Sequence, residues 1–266
     1  MRRNARDAGE RQVLYGVHPV LEALESGKRT VERILVAREG GGAGLGRLLR
    51  RAREEGVPVS HVPRGLLART AGVGAVHQGV LALVSAVSYA DPDDLCRGAA
   101  AGKGILVVLE GVTDPRNLGA ALRSAAGAGA AGVLLAGTAT VGLTPLAAKA
   151  SAGAVERIPV AREPRIGRRI GALKQAGFRV AALDPAGPLA WDEADLTGPL
   201  VLLAGAEGAG LRPALLQAAD LRLSIPLACG LDSLNVSVAL GVVLFEAVRQ
   251  RRRGPGRPLG SFVPGT

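Results

Sequence analysis

The sequence predicts an α/β protein, a parallel-sheet domain preceded by a smaller α/β unit. Three observations point there. Short apolar runs such as residues 105–109 and 200–203 alternate with stretches of helical periodicity, the pattern of buried parallel strands covered by helices. Polar, glycine-containing segments stand directly after several of those runs, where open parallel sheets bind ligands. Hydrophobic residues make up 48% of 266 residues and aromatics only 2%, so a sizeable core must be built from Ala, Val, Leu and Ile.

Residues 1–11 read as a basic, disordered arm. From Val13 a short apolar run leads into the helical spacing of Val17, Val20, Leu21 and Leu24. Residues 31–37 read as a strand, 39–46 as a Gly-rich loop, and 48–55 as a helix stopped by Gly56. Strands at 57–62 and 79–87 complete a unit over 12–88. Residues 89–104 break into Asp, Pro, Gly and Ala and read as an interdomain linker. A second series spans 105–251. Its strands fall at 105–109, 133–135, 157–160, 178–183, 200–203 and 221–225, and its helices at 118–128, 165–176, 211–219 and 233–251. The Arg-rich tail, 252–266, reads as disordered.

Composition excludes several function classes. The formal net charge of +10 comes mostly from Arg, which favours a polyanionic partner and planar pairing with phosphate. Cys96 and Cys229 have no Cys-x-x-Cys companion, and His18, His61 and His77 are scattered, so no metal site is expected. The N-terminus has no apolar signal-peptide core, which makes the cytoplasm the expected location. Residues 124–148 are uncharged but rich in Gly and Ala with Pro145 inside, so no membrane span is expected. Gly127-Ala-Gly-Ala-Ala-Gly132 matches a dinucleotide fingerprint formally, yet a helix precedes it and a strand follows, the reverse of what that site requires.

Three segments carry the candidate chemistry. Asp114-Pro-Arg-Asn-Leu-Gly-Ala-Ala-Leu-Arg123 opens a helix, with Asn117 able to cap it and Gly119 leaving room for close approach. Arg123 either snorkels to the surface or serves a site, and its placement among Ala and Leu favours the site. Gly205-Ala-Glu-Gly-Ala-Gly210 follows a strand and sets Glu207 among small residues. Ser233-Leu-Asn235 opens the last helix with more polar groups than capping needs.

Together these segments resemble the SpoU/TrmH-type RNA ribose 2′-O-methyltransferases. That family carries an Asn–Arg motif opening a helix, a Gly-Ala-Glu-Gly motif after a strand, and a Ser-Leu-Asn-Val-Ser-Val-Ala motif at the final helix, all present here in order. Tyr15-Gly16-Val-His18 and Gly74-Ala-Val-His-Gln-Gly79 look like the branch that methylates a guanosine of 23S ribosomal RNA. Cys229-Gly-Leu-Asp232 departs from the run expected of that branch. The resemblance implies a trefoil-knotted catalytic domain, an N-terminal RNA-binding domain, S-adenosylmethionine as cofactor, and a homodimer. It places Leu203, Ala204, Gly205, Ile225 and Leu234 at the cofactor and Asn117, Arg123, Glu207, Ser233 and Asn235 in the catalytic and binding set. A transfer RNA methyltransferase of the same family and a non-catalytic RNA-binding protein are the competing readings. The three motifs contain no His or Lys, so Glu207 either accepts a proton or orients Arg123, which holds phosphate and the developing alkoxide.

Overall fold

The structure, a computed structural model, describes residues 11–38, 44–72, 74–102 and 104–252. The basic arm before Arg11, the tail after Arg252 and most of the Gly-rich loop at 39–46 lie outside the described residues.

Strand β1 (Arg11–Tyr15) passes through Gly16 into helix α1 (Val17–Ser26). Gly16 adopts φ 100° and has no side chain to cap the helix, so Gln78 Oε1 accepts the Val17 N–H at 3.2 Å instead. Next come β2 (Val31–Ala37), α2 (Leu45–Glu54), β3 (Val59–Val62), α3 (Arg64–Ala71) and β4 (Val80–Ser85). They form a four-stranded sheet in the order β1-β4-β2-β3, with β4 antiparallel to both neighbours and β2 parallel to β3.

The stretch read as a linker is instead largely helical, as α4 (Pro92–Ala101). Asp91 accepts the N–H groups of Asp93 and Asp94 at 2.8 and 3.0 Å, and Pro92 takes the first helical position. Leu95, Cys96 and Ala99 are buried beneath it. The remaining elements are β5 (Ile105–Glu110), α5 (Pro115–Gly127), β6 (Gly132–Ala136), α6 (Pro145–Ala150), α7 (Ala154–Arg157), β7 (Val160–Glu163), α8 (Ile166–Gln175), β8 (Arg179–Leu183), β9 (Leu189–Ala190), β10 (Leu200–Ala204), α9 (Pro213–Ala218), β11 (Leu221–Ser224) and α10 (Val236–Arg252). Their strands make a seven-stranded sheet, β7-β6-β5-β10-β8-β11-β9, in which every pair is parallel. All five residues of β10 and the first five of β5 are buried, as strands covered on both faces must be.

Two expected boundaries are corrected. Arg157 ends α7, and the strand expected at 157–160 starts only at Val160. The last helix starts at Val236, not Ser233. The decoy glycines behave as expected: α5 stops at Gly127, Gly129 turns with φ 70°, and β6 follows at Gly132.

The chain divides into two units that are discontinuous in sequence. The first holds the described residues up to Ala90 with 114–123 and 141–159; the second holds 91–113, 124–140 and those from Val160 onward. The first unit thus combines the small sheet with α6, α7 and the opening of α5. Within it α6 packs on β1 and α7 on α1. Arg29 and Glu156 form a fully buried ion pair at 2.6 Å, and Arg157 grips Glu22 with two nitrogens at 2.7 Å each.

Candidate active site

The loop after β10 closes on itself. Ala206 and Gly210 exchange both backbone hydrogen bonds, at 3.2 and 2.8 Å. A Cβ on Gly205 would sit 2.1 Å from the Gly210 carbonyl carbon and 2.3 Å from the Leu211 nitrogen, so only glycine fits. Gly208 and Gly210 take φ 77° and 64°, which leaves Glu207 exposed at the tip. Glu110, at the end of the neighbouring strand β5, fixes the exit. Its carboxylate accepts the Arg212 N–H at 3.1 Å and pairs with the guanidinium at 2.6 Å.

A second loop follows β11. Cys229 and Gly230 both turn with positive φ, 58° and 69°, within the segment that departs from the expected run. Asn235 then caps α10. Its Oδ1 accepts the Ser237 N–H at 2.9 Å, and its carbonyl accepts the N–H groups of Val238 and Ala239 at 3.0 Å each. Its amide donates to Glu207, which ties the two loops together. A third wall comes from the end of β8. There Asp184 accepts the Ala186 N–H at 3.0 Å and both Arg222 Nε and Nη2, at 2.8 and 2.6 Å.

These loops enclose a cavity of about 790 Å³ beyond the carboxyl ends of β8, β10 and β11. Ala204, Gly205, Glu207, Ile225, Ser233 and Leu234 line it, all among the expected site residues. Leu203 is fully buried in β10 beneath it and does not line it, and Asn235 reaches it through Glu207. Three acids, Asp184, Glu207 and Asp232, line the cavity with no Lys, Arg or His. With Asp184 already paired to Arg222, Glu207 and Asp232 favour a cationic or neutral ligand over a phosphate, in a chain of net charge +10.

Asn117 and Arg123 belong to the first unit, on α5. Asn117 does not cap that helix. Asp114 does, accepting the Arg116 N–H at 2.7 Å through its side chain and the Leu118 N–H at 3.1 Å through its carbonyl. The Arg116 backbone hydrogen bond comes first among the causes that hold the Asp114 carboxyl below its ordinary pKa. Pro115 in the first helical position moves the cap upstream of Asn117. Asn117 is half-buried and Arg123 exposed, about 120° apart around the helix at 100° per residue. Glu110 and Asp184 were not singled out in the sequence, although Glu110 ends an otherwise apolar strand and Asp184 directly follows the apolar end of another. Among the described residues no group of three His, Cys, Asp or Glu side chains could hold a metal ion, and no helix is long and apolar enough to cross a membrane.

Comparison with known proteins agrees with this geometry. The profile of the SpoU rRNA Methylase family matches residues 104–245, and one described as RNA 2′-O ribose methyltransferase substrate binding matches residues 13–90. The chain is 40% identical over 252 residues to a tRNA/rRNA methyltransferase of Mycobacterium avium (strain 104), covering 94% of this chain and 81% of that protein. Among solved structures, the SpoU methyltransferase AviRb from Streptomyces viridochromogenes, in complex with AdoMet, superposes with a TM-score of 0.76 at 30% identity over 95% of each chain. An AdoMet-bound rRNA methyltransferase from Sinorhizobium meliloti gives 0.73 at 27% identity, over 92% of this chain and 88% of that one. With an α/β parallel-sheet core, a smaller N-terminal unit and a cavity at the strand ends, the chain belongs to the SpoU rRNA methylase family.

Proposed function

We propose that the protein transfers a methyl group from S-adenosylmethionine to a ribose 2′-OH of RNA, with a guanosine of 23S ribosomal RNA as target. The observation that carries this reading is the acid-lined cavity at the strand ends. Its size suits a nucleoside, and the carboxylates of Glu207 and Asp232 suit the positive charge of a sulfonium and an ammonium. Bound there, the cofactor supplies an electrophilic methyl group. The self-closed backbone of 205–210 and the backbone at Ile225, just past β11, bind and orient it, with Leu234 as an apolar wall. Glu207, fixed by Asn235, stands at the rim and orients the incoming sugar or takes its proton. Arg123 holds phosphate and the developing alkoxide with its planar fork. Ribosomal rather than transfer RNA is supported by the Tyr15-Gly16 and Gly74–Gly79 segments within the part matched as substrate-binding.

Two further features belong to the same proposal. The family match supports the trefoil knot that the resemblance implies. Val238 and Phe245, seven residues apart on α10, are each 51% exposed with Val242 between them, which supports a homodimer through this apolar stripe.

Calorimetry with S-adenosylmethionine tests the cofactor, and Trp191, whose backbone N–H donates to the carbonyl of cavity-lining Ser224, gives a fluorescence reading of the same event. Saturable binding is expected, and its absence would leave only an RNA-binding protein. Arg123→Ala is expected to bind cofactor within about twofold of wild type while losing methyl transfer by at least about a hundredfold. Parallel loss of both would remove the role given to Arg123. Mapping ribose methylation in RNA from cells lacking the protein, with and without complementation, identifies the nucleotide.

A further inference from the structure

Helix α6 touches two partners within the first unit. On one side, Lys149 Nζ stands 4.4 Å from the centre of the Tyr15 ring and donates to the Val76 carbonyl at 3.0 Å. Tyr15 and Val76 belong to the two N-terminal segments, Tyr15-Gly16-Val-His18 and Gly74–Gly79, to which the chemistry above gives no role. Those segments are bonded to each other, since the Gln78 side chain accepts the Val17 N–H, and the Gly16 N–H donates to the carbonyl of Val80, the residue that follows the second segment. His77 Nδ1 accepts the Gly79 N–H at 3.1 Å and so holds Gln78 in its left-handed conformation at φ 51°.

On the other side, α6 lies against α5 with no side chain between them. A Cβ on Gly119 would fall 2.5 Å from both the Ala147 carbonyl oxygen and the Ala150 Cβ. Gly119 is two residues beyond Asn117 and about one turn before Arg123. Ala150 directly follows Lys149. One six-residue helix therefore carries, within four residues, a fastening to the RNA-binding segment and a close contact, through the Ala147 carbonyl and the Ala150 methyl, with the helix bearing the proposed catalytic arginine. Lys149 is half-buried, and burial lowers its pKa. A cation partly withdrawn from water gains more from an aromatic face than an exposed one does.

We propose that Lys149 is a positioning residue that fastens α6 to the RNA-binding segment, so that RNA held there sets the position of α5 and of Arg123. The proposal rests on the RNA-methylation reading above. The Glu22–Arg157 and Arg29–Glu156 pairs independently hold the chain after α6, so removing Lys149 leaves the unit folded.

The test compares full-length Lys149→Met, Lys149→Arg, Tyr15→Leu and Tyr15→Phe with wild type. Hydrogen exchange of the α5 amides at residues 118–122 is expected to quicken about tenfold in Lys149→Met and Tyr15→Leu, with the thermal midpoint little changed. Lys149→Arg and Tyr15→Phe keep the cation and the ring, and are expected to stay near wild type. On a 23S rRNA transcript, kcat of Lys149→Met is expected to fall about tenfold or more, with KM and cofactor affinity within about twofold. Unchanged α5 exchange in both disrupting variants would overturn the proposal. So would a raised KM with unchanged kcat, which would make Lys149 an RNA contact. Should wild type itself methylate no RNA, the functional reading fails, while the exchange comparison still decides whether Lys149 fastens α6.

Discussion

At Gly205 the site depends on an absent methyl group. Gly205→Ala would drive a Cβ into the backbone of Gly210, forcing the loop open at a cost of about 1–3 kcal/mol. S-adenosylmethionine affinity by calorimetry is expected to fall accordingly, and an unchanged Kd would show that the loop does not shape the cavity. His77 makes a different prediction. Burial, then the positive charges of Arg64 and Lys149, lower its pKa below the ordinary histidine value, so it is neutral in the fold and accepts from Gly79. The unfolded chain then binds the extra proton first on acidification. His77's stabilisation is therefore complete above about pH 6.5 and is lost as pH falls through the depressed folded value, by at most about 1.4 kcal/mol per pH unit. Between pH 7.5 and 5.5 the melting temperature should drop further in wild type than in His77→Asn, and equal drops would refute the assignment. That polar residues past the apolar runs would meet was legible from type and spacing, as Glu207 and Ser233, which line one cavity, illustrate. Which of them caps a helix was not, because Pro115 shifts the first turn of α5 upstream and gives Asp114, not Asn117, the free N–H groups.

Elements were legible where burial leaves an unbroken apolar run in the sequence. Strands β5 and β10, unbroken apolar runs, stand where they were expected. Helix α4 was obscured because its stripe of Leu95, Cys96 and Ala99 is short and set among Asp and Gly, whose usual meaning is a loop. Its existence depends on Asp91. Asp91→Ala should lower unfolding free energy by about 1 kcal/mol, measured by urea denaturation, and an unchanged midpoint would mean that packing alone holds the helix. Helices α6 and α7 span six and four residues, too few for periodicity to register. The late start of α10 has a local cause: Asn235 bonds both Ser237 and Glu207, so the chain from Ser233 is held as loop rather than helix.

For the whole molecule, sequence order is a poor guide to what packs with what. The two family profiles match residues 13–90 and 104–245, yet residues 114–123 and 141–159 pack with the N-terminal sheet. No local pattern encodes such long-range pairing; it rests on partners like Arg29 and Glu156, 127 positions apart. The proposed dimer is tested at this scale. Phe245→Asp should shift the species seen by sedimentation from dimer to monomer, and a wild type already monomeric at micromolar concentration would end that proposal.

The Arg29–Glu156 pair bears on protein engineering. Its side chains are 1% and 2% exposed. The two charges meet at 2.6 Å without the alignment of a hydrogen bond, and Arg29 Nε and Nη1 and Glu156 Oε2 have no hydrogen-bond partner among the described residues. Deleting one member strands the other without water, which typically costs about 3–5 kcal/mol. A chimera that exchanges the first 90 residues between relatives would make that deletion unless it also carries the segment around Glu156, so the transplantable module is the spatial unit rather than the contiguous one.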